Sequence, residues 1–372
     1  MVGYGMNKEM IRMDRAFNFA PGPAMMPAEV LETAAREMMN YAGSGMSVME
    51  MSHRSKAYQD IFDETISLVR ELMQVPENYE ILLLQGGATG QFAAVPMNLM
   101  REGGSADYID SGNFAHLAMI EADKYGTARC AASSREENYR RIPDLAKANL
   151  DPNACYVHIT TNNTIFGTRY SALPETGSVP LVADMSSNIL SEVYDVSRFG
   201  AIYAGAQKNI GPAGVTLVIA RKDLLGSAQA ICPDILNWGI MAKKGSMLNT
   251  PPTYSVYLAG LCLNWLKKQG GVAAIEKVNI EKAKLLYDLL DESSFYRPAA
   301  EPASRSRMNV TFTTPDPDTD AKFVKEAAAR GLLNLKGHRL VGGIRASIYN
   351  AMPIEGVRAL RDFMKEFETE QR

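Results

Sequence analysis

Short apolar runs alternate with longer segments of helical periodicity between about residues 28 and 270, and this alternation constrains the fold most. The apolar runs predict strands over 81–84, 106–109, 154–159, 181–183, 201–204 and 215–220. Several runs are continuously apolar, as in strands that are buried on both faces. The intervening segments 55–73 and 91–100 carry apolar residues at helical spacing. The sequence therefore predicts an α/β fold in which helices cover both faces of a mostly parallel sheet.

The C-terminal part of the 372-residue chain is organised differently. A helix is predicted over 253–268, because this segment follows two prolines and ends just before Gly270 and Gly271. The elements predicted beyond it are two strands, over 308–313 and 344–349, and two helices, over 320–329 and 354–370. A chain of this length exceeds what one hydrophobic core usually organises. We therefore expect three parts: an N-terminal arm (1–27), a large domain (28–270) and a small α+β domain (271–372).

Charge and composition narrow the class of function. The formal net charge of -3 and the pI near 5.9 give no electrostatic reason to expect nucleic acid or an acidic membrane surface as a partner. No apolar stretch has the length of a membrane span, and the N-terminus lacks the apolar core of a signal peptide. A translation start at an internal methionine such as Met13 stays open. The four cysteines and four histidines are scattered, so we expect reduced thiols in the cytoplasm and no metal site.

The segment YAGAQKNIGPAG, residues 203–214, places Lys208 on a glycine-rich turn after a buried strand. A lysine at such a strand end can be partly desolvated, which lowers its pKa and frees the amine for covalent bonding to a carbonyl carbon. The alternative is a solvated loop lysine, which composition alone favours.

A second candidate is Asp184, which ends the apolar run in VPLVADMSS. A carboxylate at the carboxyl edge of a sheet stands where α/β folds bind ligands, and opposite a pyridine nitrogen it would keep that nitrogen protonated. Taken alone, Asp184 is equally well explained as a cap for the turn at Ser186 and Ser187.

The third candidate is LQGGATGQ, residues 84–91, where a strand is followed by glycines and then by a helix. Backbone amides at that helix start would bind a phosphate, and the helix dipole would assist them. The Lys-Ser/Thr pair of a nucleotide-binding P-loop is missing, and a purely structural turn is an equal alternative.

These three segments, in this order, resemble the aspartate-aminotransferase superfamily of pyridoxal-phosphate enzymes. Further segments resemble the phosphoserine aminotransferase family and span nearly the whole chain: FNFAPGPAMMP, SVMEMSHRS, QFAAVPMNL, DVSRFGAIYAGAQKNIGPAG, NTPPTY, RSRMNVTF and KGHRLVGGIRASIYNAMP. The resemblance implies fold type I, a pyridoxal 5'-phosphate cofactor and a homodimer with shared active sites.

The resemblance also implies roles for individual residues. Lys208 would carry the cofactor covalently and transfer protons, and Asp184 would hold the pyridine nitrogen. The remaining cofactor contacts would come from the backbone of Ala88 and Thr89, from Gln207, from Thr164 at the ring hydroxyl, and from Asn249 and Thr250 of the partner subunit. Phe114 would stack on the ring where many relatives have Trp; the alternative is that it only fills the core. Thr89 stands where relatives often have Arg.

The substrate of this family carries a carboxylate and a phosphate, which calls for arginines at two separated points. The resemblance assigns Arg345 to the α-carboxylate, and Arg54, His338 and Arg339 to the distal phosphate. The implied reaction is reversible amino transfer between glutamate and 3-phosphohydroxypyruvate in serine biosynthesis. A phosphorylated hydroxythreonine precursor in pyridoxine biosynthesis stays open as a second substrate. The alternatives are a lyase or desulfurase on the same scaffold and a non-catalytic cofactor-binding protein.

Overall fold

The computed structural model describes residues 15–371 and is built around a seven-stranded mixed sheet. In chain order its strands are β1 (Tyr79–Leu84), β2 (Ser105–Asp110), β3 (Thr127–Ser133), β4 (Val157–Thr160), β5 (Leu181–Asp184), β6 (Ala201–Gly205) and β7 (Thr216–Arg221). Their order across the sheet is β1-β7-β6-β5-β4-β2-β3. Strand β7 is antiparallel to both of its neighbours and the other pairs are parallel. The predicted α/β class is confirmed.

Helices cover both faces of this sheet. The helices are α1 (Ala28–Glu37), α2 (Lys56–Leu72), α3 (Gly87–Leu99), α4 (Asn113–Ala122), α5 (Trp238–Lys243), α6 (Thr253–Lys268), α7 (Gly271–Glu292), α8 (Pro317–Ala329) and α9 (Ile354–Gln371). Ile81 and Leu83 of β1 pack toward α2 and α6, whereas Leu82 and Leu84 pack toward α3 and α5. Because successive strand residues point to opposite faces, the continuous apolar runs serve two cores at once.

A smaller antiparallel sheet follows in the C-terminal part. It consists of β8 (Arg297–Pro298), β9 (Asn309–Thr313) and β10 (Ile344–Ser347), with β9 in the middle. Its core centres on Phe323 of α8, which is fully buried and whose ring centroid lies 4.9 Å from that of Phe363 and 5.1 Å from that of Phe367. Two short pairings complete the strands, Phe17–Asn18 with Leu332–Leu333 and Asn162–Asn163 with Thr168–Arg169.

Helix α7 contributes to the cores of both sheets. Its first turns place Val272 and Ile275 in the core of the large sheet, and its later turns place Leu286 and Leu290 in the core of the small sheet. A division into domains at residue 270 stays a prediction. No helix within residues 15–371 is long and apolar enough to cross a bilayer. The possible start at Met13 lies outside the described residues.

Some elements were missed by the sequence patterns. Strand β3, TARCAAS, lies at an edge of the sheet and is largely exposed, so it lacks an apolar run. Helix α7 begins directly at the glycine pair that was predicted to end the preceding helix. Gly270 and Gly271 both have positive φ (92° and 76°), a conformation that interrupts the helix and lets the chain change direction. The pair therefore ends one helix and starts the next.

All strands of the large sheet except β7 point the same way, so their carboxyl ends meet at one edge. Asp184 ends β5 and Gly205 ends β6, while Leu84 ends β1 immediately before the glycine-rich turn. This edge gathers the three sequence segments that were predicted to carry the chemistry.

Candidate active site

Lys208 lies on the turn that follows β6. The turn is closed by backbone hydrogen bonds from Lys208 and Gly211 to the carbonyl oxygen of Ala206, both 2.8 Å long. The Nζ of Lys208 donates to Oγ1 of Thr164 at 2.7 Å and lies 5.9 Å from the centroid of the Phe114 ring. Burial lowers the pKa of Lys208 to about 8. The lysine is therefore a desolvated amine beside an aromatic ring and a hydroxyl, and not the solvated loop lysine of the alternative interpretation.

The nearby charges act on that pKa in opposite directions. Asp184, on the neighbouring strand, raises the pKa of Lys208, while Arg345 lowers it. Reciprocally, burial raises the pKa of Asp184, and Ser186 and Lys208 oppose this shift. The Oδ1 of Asp184 accepts the backbone N–H of Ser186 at 2.8 Å. The predicted turn cap is thus present, and the same carboxylate is also buried within the electrostatic reach of Lys208.

The turn after β1 presents free backbone amides. Gly86 has a φ of 95° and caps α3, and the first helical hydrogen bond runs from the N–H of Gly90 to the carbonyl oxygen of Gly86 at 3.1 Å. The amides of Gly87, Ala88 and Thr89 therefore have no acceptor within the helix. Ala88 is half-buried and Thr89 is exposed. These amides form the kind of helix start that binds a phosphate group.

Gln207 and Thr164 are the neighbours of Lys208, the first along the chain and the second through its hydrogen bond to the amine. Gln207 is half-buried, and its carbonyl oxygen accepts the backbone N–H of Ala24 at 2.9 Å, which attaches the N-terminal arm to the turn of Lys208. Thr164 is buried on the short turn between 162–163 and 168–169. Phe114 is half-buried in the first turn of α4.

Arg345 is buried in β10, with 6% of its surface exposed. Its Nη1 donates to the carbonyl oxygen of Thr164 at 3.4 Å, and within residues 15–371 its Nε has no hydrogen-bond partner. Burial lowers the pKa of Arg345, and no carboxylate of the described part of the chain pairs with it. A buried, unpaired guanidinium is costly, so this one is suited to bind an anion from outside the chain.

The remaining predicted anion-binding residues are more exposed. His338 is half-buried, and its pKa is lowered by burial and by the charges of Arg345 and Arg339. Arg339 is exposed, and so is Arg54, between the short turn Val48–Glu50 and α2. Among the described residues, the guanidinium of Arg54 makes no hydrogen bond or ion pair.

Asn249 and Thr250 are also exposed. The carbonyl oxygen of Thr250 accepts the side-chain amide of Gln85 at 3.3 Å, so the segment lies beside the glycine-rich turn. One chain thus brings Lys208, Asp184, Thr164, Phe114 and Arg345 together. Within residues 15–371, Arg54, Asn249 and Thr250 make no hydrogen bond to Lys208, and their roles stay predictions.

A buried polar network was missed by the sequence patterns. The Nδ2 of Asn162 donates to Oγ of Ser187 at 2.9 Å and to Oδ1 of Asn309 at 2.8 Å. The Nδ2 of Asn309 in turn donates to the hydroxyl of Tyr349 at 3.1 Å and to Oγ of Ser347 at 3.0 Å. This network joins the edge of the large sheet to the small sheet and fixes Arg345 relative to Thr164. The available signal was a polar pair, Asn162 and Asn163, directly after an apolar strand.

The arrangement fits pyridoxal phosphate, because an amine, a buried carboxylate, an aromatic face and free helix-start amides lie at the same carboxyl edge of the sheet. Comparison with known proteins supports the same assignment. The family model for class-V aminotransferases matches residues 16–360. A phosphoserine aminotransferase of Bacillus cereus (strain ATCC 10987) is 54% identical over 360 residues, which cover 97% of this chain and 100% of the relative.

Two further relatives agree. A phosphoserine aminotransferase of Herminiimonas arsenicoxydans is 54% identical over 359 residues, 96% of this chain and 99% of that protein. The solved structure of phosphoserine aminotransferase from Bacillus circulans subsp. alkalophilus superposes with a TM-score of 0.95 at 44% identity, covering 96% of this chain and 100% of that one. The chain therefore belongs to the class-V aminotransferases, a family of fold type I enzymes that use pyridoxal phosphate, and within them to the phosphoserine aminotransferase family, as its sequence motifs predict.

Proposed function

We propose that this enzyme reversibly transfers the amino group of glutamate to 3-phosphohydroxypyruvate, giving 2-oxoglutarate and phosphoserine. The observation that carries this proposal is the buried guanidinium of Arg345, unpaired among the described residues and linked through Thr164 to Lys208. An amino acid whose carboxylate binds Arg345 brings its α-carbon toward the amine of Lys208. The cationic Arg339 and the imidazole of His338, which can donate a hydrogen bond when neutral, extend the site to a second anion.

The bound cofactor supplies a carbonyl carbon for the amino group and a ring that withdraws electrons from the α-carbon of the substrate. Lys208 would hold the cofactor covalently through its side-chain amine, and the same amine would move the proton at the α-carbon of the substrate. Asp184 would hold the ring nitrogen and keep it protonated by its negative charge. The hydroxyl of Thr164 would donate to or accept from the ring oxygen, and Phe114 would supply an apolar face for the ring.

The phosphate of the cofactor is assigned to the free amides of Gly87, Ala88 and Thr89 at the start of α3, with Gln207 beside them. These amides need no side-chain charge to bind an anion, so Thr89 can replace the arginine that relatives often carry. The distal phosphate or side-chain carboxylate of the substrate is assigned to His338, Arg339 and Arg54.

We further propose that the enzyme is a homodimer in which Arg54, Asn249 and Thr250 act in the site of the partner subunit. Exposed apolar side chains precede Arg54 in the sequence, since Met39, Met46 and Met49 are 81%, 39% and 56% exposed. An apolar surface of this kind beside polar residues without a role in their own chain favours a contact with a second copy.

Mixing two inactive variants tests the shared site. Lys208→Ala and Arg54→Ala chains, unfolded and refolded together, should recover about a quarter of the wild-type activity, because half of the dimers then hold one intact site out of two. If both residues serve a site within one chain, mixing restores nothing. Sedimentation of the purified protein measures the subunit number directly.

Cysteine chemistry argues against a desulfurase. Such an enzyme needs a reactive thiolate near the cofactor, whereas burial raises the pKa of Cys130, Cys232 and Cys262. The four cysteines are all free, which is consistent with the cytoplasmic location that we propose.

Steady-state assays test the reaction. Phosphoserine formation from glutamate and 3-phosphohydroxypyruvate should be saturable, and the protein should be yellow and lose that colour with glutamate. Lys208→Ala should be colourless and inactive, while the exposed Lys243→Ala serves as the matched control. Bleaching by glutamate without turnover of 3-phosphohydroxypyruvate would refute the phosphorylated substrate and leave the aminotransferase assignment intact. The phosphorylated keto acid of pyridoxine biosynthesis is assayed in parallel.

A further inference from the structure

Lys282 occupies a position where the pattern of α7 calls for an apolar residue. The helix buries Val272, Ile275, Leu286 and Leu289 along one side, and Lys282 falls on the same side with none of its surface exposed. A lysine in such a stripe loses its hydration entirely. A lysine at this position needs hydrogen-bond partners that an apolar side chain would not need.

The ammonium group of Lys282 has three backbone partners. Its Nζ donates to the carbonyl oxygens of Ile348 at 3.0 Å, Tyr349 at 2.8 Å and Met352 at 3.1 Å. An ammonium carries three N–H groups, so these bonds use all of them. Burial lowers the pKa of Lys282 to about 7. Among the described residues, no carboxylate forms an ion pair with this lysine.

The segment held by Lys282, residues 348–352, is connected to both halves of the active site. It directly follows β10, which carries Arg345. The backbone N–H of Asn350 donates at 3.0 Å to Oδ1 of Asn209, the residue after Lys208. The hydroxyl of Tyr349 donates to the carbonyl oxygen of Pro21 at 2.9 Å. A displacement of this segment would therefore move the arginine and the turn of the lysine relative to each other.

Asn279, one turn before Lys282, holds the same segment from the side. Its Nδ2 donates to Oδ1 of Asn350 at 2.8 Å and to the carbonyl oxygen of Ser191 at 3.0 Å. The two polar residues of the stripe thus face one short stretch of backbone. Hydrogen bonds are directional, so they fix the path of that stretch in a way that apolar packing does not.

We propose that Lys282 is a positioning residue of the aminotransferase, which fixes segment 348–352 and thereby sets the spacing between the guanidinium of Arg345 and the amine of Lys208. The inference rests on the proposed function in one respect only, the identity of the substrate whose carboxylate binds Arg345. Lys282 itself does not touch the substrate, because the carbonyls of 348–352 occupy all of its donors.

Two substitutions in the loaded, full-length enzyme test this role. Lys282→Met keeps the length of the side chain and removes every N–H, while Lys282→Gln keeps two N–H donors without the charge. Lys284→Met is the matched control, since Lys284 lies on the same helix, is exposed and pairs with Asp288 at the surface. For Lys282→Met we expect the KM for glutamate to rise between about 10- and 100-fold, the effect of misplacing a binding group by an ångström. The kcat should fall by less, and Lys282→Gln should lie between wild type and Lys282→Met.

Binding of succinate, a dicarboxylate that cannot react, provides a readout besides activity. Its dissociation constant, measured by calorimetry, should rise in parallel with the KM for glutamate in both variants and stay unchanged in Lys284→Met. If wild type fails to turn over 3-phosphohydroxypyruvate, the proposed function is wrong, yet succinate binding still decides the role of Lys282.

Three outcomes would overturn the inference. The first is an unchanged KM and succinate affinity in a folded Lys282→Met enzyme. The second is a lower melting temperature with both binding constants unchanged, which would assign Lys282 to stability alone. The third is a failure of both variants to fold, which would make the lysine a requirement of folding and not a positioning residue.

Discussion

Arg345 and Lys208 are joined through a single residue, because the carbonyl oxygen of Thr164 accepts from the guanidinium of Arg345 and its hydroxyl accepts from the amine of Lys208. The two groups come from different sheets, β10 and the end of β6. Thr164 therefore lies where the proposed carboxylate-binding group and the proposed proton-transferring group meet.

Removing the hydroxyl of Thr164 should slow the reaction. Thr164→Val keeps the shape and loses the hydrogen bond, and we expect kcat to fall about tenfold, since a hydrogen bond to a charged group contributes about 1.5 kcal/mol or more. Thr164→Ser keeps the hydroxyl and should remain close to wild type. Equal kcat values for the two variants in steady-state assays would show that the hydroxyl has no role.

The pKa of Lys208 predicts how the cofactor-free protein takes up pyridoxal phosphate. Only the neutral amine attacks the carbonyl carbon, and burial lowers the pKa of this amine to about 8. The rate of loading should therefore rise with pH and level off above about pH 8, whereas an ordinary lysine titrates near 10.4. The rate is followed by absorbance. The control amine is Nα-acetyl-lysine, in which only the side-chain amine is free. A midpoint equal to that of the control would contradict the prediction.

The same shift has a consequence for the stability of the cofactor-free protein. Between about pH 8 and the ordinary lysine pKa, the unfolded chain binds more protons at Lys208 than the folded chain does. The contribution of Lys208 to the free energy of unfolding should therefore increase with pH through this window. Urea unfolding of wild type and Lys208→Met across the window isolates the contribution.

Charge and capping can be separated at Asp184. Asp184→Asn keeps an oxygen for the backbone N–H of Ser186 but removes the charge, and Asp184→Ala removes both. We expect both variants to lose about 10²-fold or more in kcat, because an electrostatic partner of the reacting ring is missing. Only Asp184→Ala should also lose about 1 kcal/mol of stability, the usual contribution of such a cap. An Asp184→Asn enzyme with wild-type kcat would limit Asp184 to the turn.

Arg345 is expected to act through its planar guanidinium. Arg345→Lys keeps the charge but cannot bind a carboxylate with two parallel hydrogen bonds, so the KM for glutamate should rise about 10- to 100-fold. The surface substitution Arg330→Lys is the control, since Arg330 is exposed and pairs with Glu366 at the surface. No difference in KM between the two variants would remove Arg345 from the substrate site.

Ring stacking by Phe114 can be distinguished from simple filling of space. Phe114→Leu keeps most of the volume and loses the ring, and should weaken cofactor binding by about 1 kcal/mol. Phe114→Trp should bind at least as tightly as wild type. Absorbance after dialysis measures the cofactor that each enzyme retains. Equal retention by Phe114→Leu and wild type would favour the core-filling alternative.

The sequence predicted the elements whose pattern is local and apolar. Strands β5 and β6 are fully buried, and both appear as apolar runs that end at Asp184 and beside Lys208. Helix α6 spans Thr253–Lys268, as the flanking prolines and glycines predict. Local order along the chain was enough to place the lysine and the carboxylate at the same sheet edge.

Other parts depend on contacts that are distant in sequence. Strand β3 takes its conformation from pairing with β2, and its composition does not show it. Asn309 and Asn162 are 147 positions apart and meet only in the folded chain, so their network has no local signal. From the sequence alone, a lysine such as Lys282 is expected to be solvated. Only the helical spacing of α7 places it among buried residues, and the sequence patterns did not predict that helix.

Helix α7 also limits how the enzyme can respond to its ligands. Its 22 residues form a rod about 33 Å long that is embedded in two cores, so neither core can swivel about the other without breaking the rod or the packing at one of its ends. The peripheral segment 336–343 carries His338 and Arg339, the proposed distal-anion residues, and contributes no residue to the cores of the described chain. We therefore expect any adjustment to substrates of different length to occur in this segment. Under the proposed function, we therefore expect the binding of the α-carboxylate to stay constant, whereas the binding of the distal group varies with the substrate.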